Sequence, residues 1–393
     1  MDYGVASWLV PDVNARELKK GPWHRCAISR SWSLLLPGLS LVVTATAGEH
    51  RGRQFVRLQD LSARIESDSA PADRIVLVSP EIVSAMPWNE LIVSWNAALS
   101  PDAILKVEAR AIYPGHATRF YVMGVWSGDI DRHPRMSRSN QKDDDGEVLT
   151  DTLALNRPCE RVQLRFTLDG VGAGDRSALK FVGLCFADTE LSLSELPPNR
   201  AAWGKTLPVP EHSQLDYPSG ERSWCSPACT SMVLEWWSGQ LDRPDLRLPV
   251  PDVAGAVYDP NWPGTGNWPF NTAFAGSLPA VRGYVTRFSD VSEIEDWIAA
   301  GVPVPISVAY TVLKGAPPRA GPDGHLVVCV GFNEDGDVIV NDPGVPAPVR
   351  RVYPRENLIK AWARSHNTVY LIHPERTDIP PDRFGHWERP DRK

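Results

Sequence analysis

The first half of the chain alternates. Leu105, Val107, Ala109 and Ala111 occupy every second position between polar neighbours, and Val162, Leu164, Phe166 and Leu168 do the same. A period of two puts one set of side chains on a single face and predicts half-buried strands. Leu91–Trp95, Arg119–Trp126 and Leu179–Phe186 are further β-rich runs, and no long stretch here has helical spacing. Short strands punctuated by Pro, Gly and Asp predict an all-β domain, a sandwich or jelly roll, over residues 1–195.

The pattern breaks around residues 191–214, where Pro197, Pro198, Pro208 and Pro210 fall in a segment of little periodicity. A linker is placed at 196–210. Beyond it the period changes. Cys229, Met232, Val233, Trp236 and Trp237 are spaced i, i+3, i+4, i+7, i+8, which predicts a helix from Pro227 to Ser238 with Gly239 as its C-cap. A second helix is expected from Val291 to about Ala300, opened by the cap-like pair Asp290 and Glu293 and stopped by Gly301. Strands are expected near Val304–Ala309, Leu326–Phe332, Val338–Asn341 and Thr368–Ile372. Residues 211–373 thus read as a mixed domain, the whole chain as α+β, and residues 374–393, rich in Pro and charge, as a loosely ordered tail.

Composition narrows the function classes. The 393 residues carry a net charge of −7 and no basic stripe, so the footprint of a nucleic-acid binder is missing. The densest acidic run, Asp143-Asp144-Asp145-Gly146-Glu147, fails the EF-hand spacing and reads as a hairpin turn. Six cysteines (26, 159, 185, 225, 229 and 329) are scattered without a CxxC pair, which argues against a disulfide scaffold or zinc ribbon. No cofactor or metal is expected. Met1–Lys20 lacks the features of an export signal, and Leu34–Ala47 is too short to span a bilayer and reads as a buried strand. The expectation is a cytoplasmic protein without a membrane span, with secretion the alternative.

Chemistry concentrates in three places. Cys225 lies at the N-terminal end of the first helix, where unpaired N–H groups and the helix dipole favour a thiolate. Position alone fits a buried structural cysteine equally well. Cys229 falls inside the apolar stripe and reads as core. His325 opens the strand Gly324–Phe332, and Asp342 closes the next one. A four-residue turn, Asn333–Gly336, would pair Phe332 with Asp337 and Val327 with Asp342, setting His325 and Asp342 diagonally on one face. A three-residue turn would separate them. A thiol, an imidazole to take its proton and a carboxylate to fix the imidazole make up a nucleophilic acyl-transfer site. Gln214, eleven residues before Cys225, could donate to the oxyanion or be an ordinary surface residue. Trp262, Trp268 and Phe270 fit either a cleft or a core.

Gln214 together with Ser223-Trp224-Cys225-Ser226-Pro227-Ala228 and the following Met232-Val233-Leu234 resembles the nucleophile motif of the bacteriocin-processing (double-glycine leader) peptidase-like family, whose members are papain-like cysteine peptidases. Gly324-His325-Leu326-Val327-Val328 and Val340-Asn341-Asp342-Pro343 are similar to its His and Asp motifs, in the same order, and Gly266–Ala273 is familiar from stand-alone bacterial members. The resemblance covers about residues 205–373. It implies a papain-like domain with Cys225 as nucleophile, His325 as base, Asp342 as orienting residue and Gln214 at the oxyanion hole. It also implies a peptide or peptide-like substrate. The loop from Gln214 to Cys225 is longer than in compact members, and transporter segments are absent from this sequence. The same machinery would serve an acyl transferase. A protein with a vestigial site, binding glycan or peptide through its β-rich half, is the remaining alternative.

Overall fold

The computed structural model describes residues 50–58, 66–68, 74–171 and 178–387. Cys26, the stretch Met1–Lys20, the strand expected at Leu34–Ala47 and the last six residues lie outside the described residues.

Ten strands form an antiparallel sheet: β1 (Arg53–Leu58), β2 (Glu66–Asp68), β3 (Arg74–Val78), β4 (Ile82–Ala97), β5 (Ile104–Tyr113), β6 (His116–Ala117), β7 (Tyr121–Ser127), β8 (Gly146–Leu149), β9 (Thr152–Asp169) and β10 (Leu179–Ala187). The long strands β4 and β9 are its spine, and β9 pairs with β3, β4, β5 and β8 along its length. The alternation in the sequence is borne out: Leu105, Val107, Ala109, Ala111, Val162, Leu164, Phe166 and Leu168 are all fully buried. The acidic run is a tight turn into β8. Asp143 caps it by accepting the N–H groups of Asp145 and Gly146, and the turn needs glycine because a Cβ at Gly146 would lie 2.3 Å from the Ala154 carbonyl oxygen.

The second sheet has seven strands in the order β12 (Val281–Arg287), β17 (Thr368–Pro374), β13 (Val304–Ala309), β14 (Gly324–Phe332), β15 (Val338–Asn341), β16 (Arg350–Tyr353), with β11 (Lys205–Thr206) pairing on β14. Around it lie α1 (Cys225–Leu241), α2 (Val250–Val257), α3 (Trp268–Ser277), α4 (Val291–Ala299), α5 (Tyr310–Leu313) and α6 (Arg355–Trp362). Helix α1 is buried on nearly all sides from Cys225 to Leu234, so it is a central helix rather than a surface one. It runs past Gly239, contrary to expectation. The left-handed cap is Asp242 (φ 52°), a residue type whose short polar side chain tolerates that conformation. Helix α4 starts as expected with Asp290 capping the Ser292 N–H, while Glu293 reaches back to the N–H of Ser289.

The two sheets pack as one body. Phe270 of α3 sits edge-on to Trp95 and Trp126 of the first sheet, at ring separations of 6.1 and 5.5 Å. Asn96 donates to the Gly283 carbonyl, and Ser94 accepts the Val285 N–H. Arg287 of β12 forms an ion pair with Glu90 of β4, which also bonds His366, and both members of the pair are largely buried. Burial, the largest influence on Glu90, pushes its pKa up, but Arg287 and His366 outweigh it and hold the carboxyl at about 2. Removing one partner of such a pair costs about 3–5 kcal/mol. Arg287→Ala is therefore expected to lower the urea midpoint of both sheets together, and a loss confined to one sheet would contradict the packing.

The stretch placed as a linker, and the described part of the tail read as loosely ordered, are both bonded to the fold. In the stretch placed as a linker, the Leu196 N–H donates to Asp290, Asn199 to Glu295 and Asp296, and the Trp203 indole to Glu295. At the far end His386 and Trp387 are buried, and the Phe55 N–H of β1 donates to the His386 carbonyl. Two aromatic side chains anchor this end of the chain, a signal that its Pro and charge content obscures.

Candidate active site

The N-terminus of α1 is built for an anion. Trp224 precedes the helix without a capping side chain, and the first backbone hydrogen bond runs from Ala228 N–H to the Trp224 carbonyl. Pro227 has no N–H, so Cys225 and Ser226 supply the unpaired donors of this first turn. The preceding loop folds beneath the Trp224 ring, where a Cβ at Gly220 would lie only 2.1 Å from the indole. Tyr217 packs on the same indole, and Thr265 Oγ1 holds the Ser223 carbonyl at 2.8 Å. The Cys225 side chain is 3% exposed. Cys229, one turn on, is fully buried, and its thiol donates to the Leu326 carbonyl. Burial, then the nearby Cys225, pushes the Cys229 thiol well above its ordinary range, so it stays protonated.

His325 and Asp342 come together as the hairpin register required, by a different route. At the turn Phe332 faces Val338 and Gly331 faces Ile339, one residue off the expected pairing. A β-bulge between Cys329 and Gly331 absorbs the extra residue, and Val328 then faces Asn341. Continued by one step, Val327 faces Asp342. Without the bulge, a one-residue slip would put His325 and Asp342 on opposite faces of the hairpin.

His325 Nε2 lies 2.8 Å from Asp342 Oδ1. The ring interacts with Cys225 as well, and with Nε2 committed to the carboxylate, Nδ1 is the nitrogen left for the thiol. Burial, the largest influence, lowers the His325 pKa, but the hydrogen bond to Asp342 and the nearby Cys225 overcome it and raise the imidazole to about 9. Asp342 is fully buried and accepts four hydrogen bonds: from His325, from the Gly344 N–H (2.9 Å), and from the hydroxyls of Tyr310 (3.0 Å) and Tyr353 (2.7 Å). Burial alone would raise its pKa. His325 first, then Tyr353 and the Gly344 amide, hold the carboxyl down at about 2.

Tyr310, Tyr353 and Gly344 were not legible as site residues. Tyr310 stacks on the His325 ring with 4.0 Å between centroids. Gly344 is needed for space, because a Cβ there would lie 2.9 Å from both His325 Cε1 and the Tyr310 hydroxyl. Overpacking of this kind costs about 1–3 kcal/mol. Gly344→Ala is expected to displace the imidazole and lower turnover by roughly tenfold, with a melting temperature only modestly reduced; unchanged turnover would contradict the contact.

Gln214 is buried at the start of a 3-10 turn (Gln214–Asp216), and its backbone N–H donates to the Pro343 carbonyl beside Asp342. One N–H of its side-chain amide is taken by the Glu221 carbonyl at 2.7 Å, while Oε1 is buried without a partner among the described residues. An amide nitrogen carries two hydrogens, so one donor remains.

Of the three aromatic residues left open, Phe270 is core, the backbone N–H of Trp268 donates to Asp151, and Trp262 is half-buried. The loop bearing Trp262 is organised by the fully buried Asp259, which accepts the N–H groups of Ser137, Asn261 and Trp262. Ser137 belongs to the N-terminal half, so that half braces the loop whose Thr265 holds Ser223. Among the described residues no group of three or more His, Cys, Asp or Glu side chains could hold a metal ion.

Two family models match the chain. Residues 47–186 match a peptidase C39 N-terminal domain, and residues 206–370 match the Peptidase_C39-like family. The two matches correspond to the two sheets. No curated protein and no solved structure matches the chain.

Proposed function

Since this chain belongs to the peptidase C39-like family, with both its N-terminal region and its peptidase-like region matched, we propose that it cleaves peptide bonds through a covalent acyl-enzyme on Cys225. The observation that carries this reading is the buried Asp342–His325 pair with Cys225 against the same imidazole. We read residues 211–373 as a papain-like domain, 196–210 as the connection and 1–195 as a β-sandwich that braces it.

His325 Nδ1 takes the Cys225 proton, and the imidazolium so formed is stabilised by Asp342. The thiolate attacks the substrate carbonyl carbon, and the carbonyl electron pair moves to oxygen. That oxyanion is met by the backbone N–H groups at the start of α1 and by the free amide N–H of Gln214. The imidazolium protonates the departing amine as the C–N bond breaks. Water, deprotonated by the same imidazole, then attacks the thioester and releases the acid. Asp342 keeps the Nε2 proton in place throughout, with Tyr310 and Tyr353 holding the carboxylate.

The test is hydrolysis of an internally quenched peptide library, with products weighed by mass spectrometry with and without an added amine. Cys225-dependent acid products support hydrolysis. A shift of products to the amine adduct at low amine concentration would move the reading to acyl transfer, and absence of any Cys225-dependent product would overturn it.

A further inference from the structure

Two cationic side chains lie beside the tyrosines that support His325 and Asp342. Cys225 follows Trp224, whose indole packs against Tyr217. Lys314 follows α5, and its Nζ lies 3.7 Å from the centre of the Tyr310 ring, the same ring that covers His325. Arg351 lies in β16 two residues before Tyr353, whose hydroxyl bonds Asp342. Its Nη1 bonds only backbone carbonyls, those of Pro348 and Arg350. Neither Lys314 nor Arg351 has an ion-pair partner among the described residues, whereas neighbouring Arg350 reaches Glu211 and Arg355 reaches Glu295.

The acids on this side are already engaged. Asp342 is enclosed by its four donors, and Asp323 is taken by the Thr311 N–H and hydroxyl. Lys314 and Arg351 therefore lie beside the tyrosines that support His325 and Asp342, without an ion-pair partner among the described residues, in an acidic protein of net charge −7. Each is held by something other than an acid: one by an aromatic face, the other by carbonyls. A pair so fixed is prepared for a carboxylate that arrives from outside.

We propose that Lys314 and Arg351 form a carboxylate-recognition rim, so that the preferred substrate is a peptide carrying an acidic group next to the scissile bond on the His325 side. This rests on the reading of the chain as a peptidase. The acidic group is either an Asp or Glu side chain or a free C-terminal carboxylate. Neither rim residue takes part in bond making. Both act through binding, and long-range attraction adds to the rate of encounter.

The test uses the full chain and two matched sets of quenched peptides. One set exchanges Glu for Gln at each position flanking the cleaved bond, and the other exchanges a C-terminal acid for its amide. Wild type is expected to favour acidic members in kcat/KM by roughly two- to tenfold, the range of exposed charge pairs acting together, with the preference shrinking as salt is raised. The set that shows the preference identifies the source of the carboxylate. Lys314→Ala and Arg351→Ala should each reduce it, and Lys314→Glu with Arg351→Glu should reverse it toward Lys-containing peptides, the preference being read as a ratio between matched peptides within each variant. Cys225-dependent cleavage with no acid preference, or a preference that survives charge reversal, overturns the rim and leaves the peptidase reading standing. If no member is cleaved in a Cys225-dependent way, the peptidase reading fails and takes the rim with it.

Discussion

Cys225→Ala is expected to abolish turnover, by about 10⁴-fold or more, because a nucleophile that acts as a unit with its base leaves only residual binding and oxyanion effects when removed. The fold should survive. Cys225 lies at a helix end, and removing its sulfur deletes little of the core. Cys229→Ala is the informative companion. That thiol is fully buried and bonded to the Leu326 carbonyl, so its loss should cost stability, about 1–2 kcal/mol, and leave kcat nearly unchanged. Steady-state kinetics on both variants with urea melts alongside separates the two cysteines. The reverse pattern, an active Cys225→Ala and an inactive but stable Cys229→Ala, would move the nucleophile.

Asp342→Asn should lower turnover by about 10²-fold or more and change the pH profile, because an amide can neither stabilise the imidazolium nor hold the Nε2 proton with certainty. The direction follows from the two shifted groups. His325 is raised from 6.5 to about 9, so its stabilising interaction is complete below about 6.5 and lost as pH rises through about 9. Asp342 is lowered from 3.8 to about 2, so its contribution is present above about 3.8 and lost as pH falls through about 2. Between these limits the ion pair is intact. Wild-type kcat/KM should therefore fall on an alkaline limb near pH 9, where His325 loses its proton, and Asp342→Asn should move that limb to lower pH. An alkaline limb that stays in place in Asp342→Asn would show that the carboxylate does not set the imidazole.

How much of this was legible in the sequence depends on whether a feature is local. The alternation of β5 and β9 reads directly, because every second residue is fully buried. The strand Val338–Asn341 and the start of α4 also read directly, from turn chemistry and caps. The His325–Asp342 juxtaposition was read from hairpin arithmetic, and it holds only because a bulge near Val330 cancels a longer turn. Nothing in the residue pattern of Gly331-Phe332-Asn333 reveals two compensating one-residue shifts. Tyr310 and Tyr353 were missed for a related reason. They come from α5 and β16, short elements without periodicity, and reach Asp342 only after the sheet is assembled. Helices α2, α3 and α6 were likewise not read: the burial of α2 and α3 is set in part by the other half of the chain, as Phe270 between Trp95 and Trp126 illustrates, and α6 is buried against α5 and β13. That docking, together with Asp259 and the Glu90–Arg287 pair, makes the two halves one body, which a linker-centred reading of residues 196–210 did not anticipate.

The most direct measurement is covalent labelling of the full chain with a peptide-like electrophile that traps thiolates, followed by intact mass and peptide mapping across pH. A single adduct on Cys225 is expected. Its formation should slow about 10²-fold or more in a His325→Ala variant and not at all in Cys229→Ala. Labelling on Cys229, or labelling of Cys225 at the same rate with and without His325, would contradict a thiol–imidazole site at the start of α1.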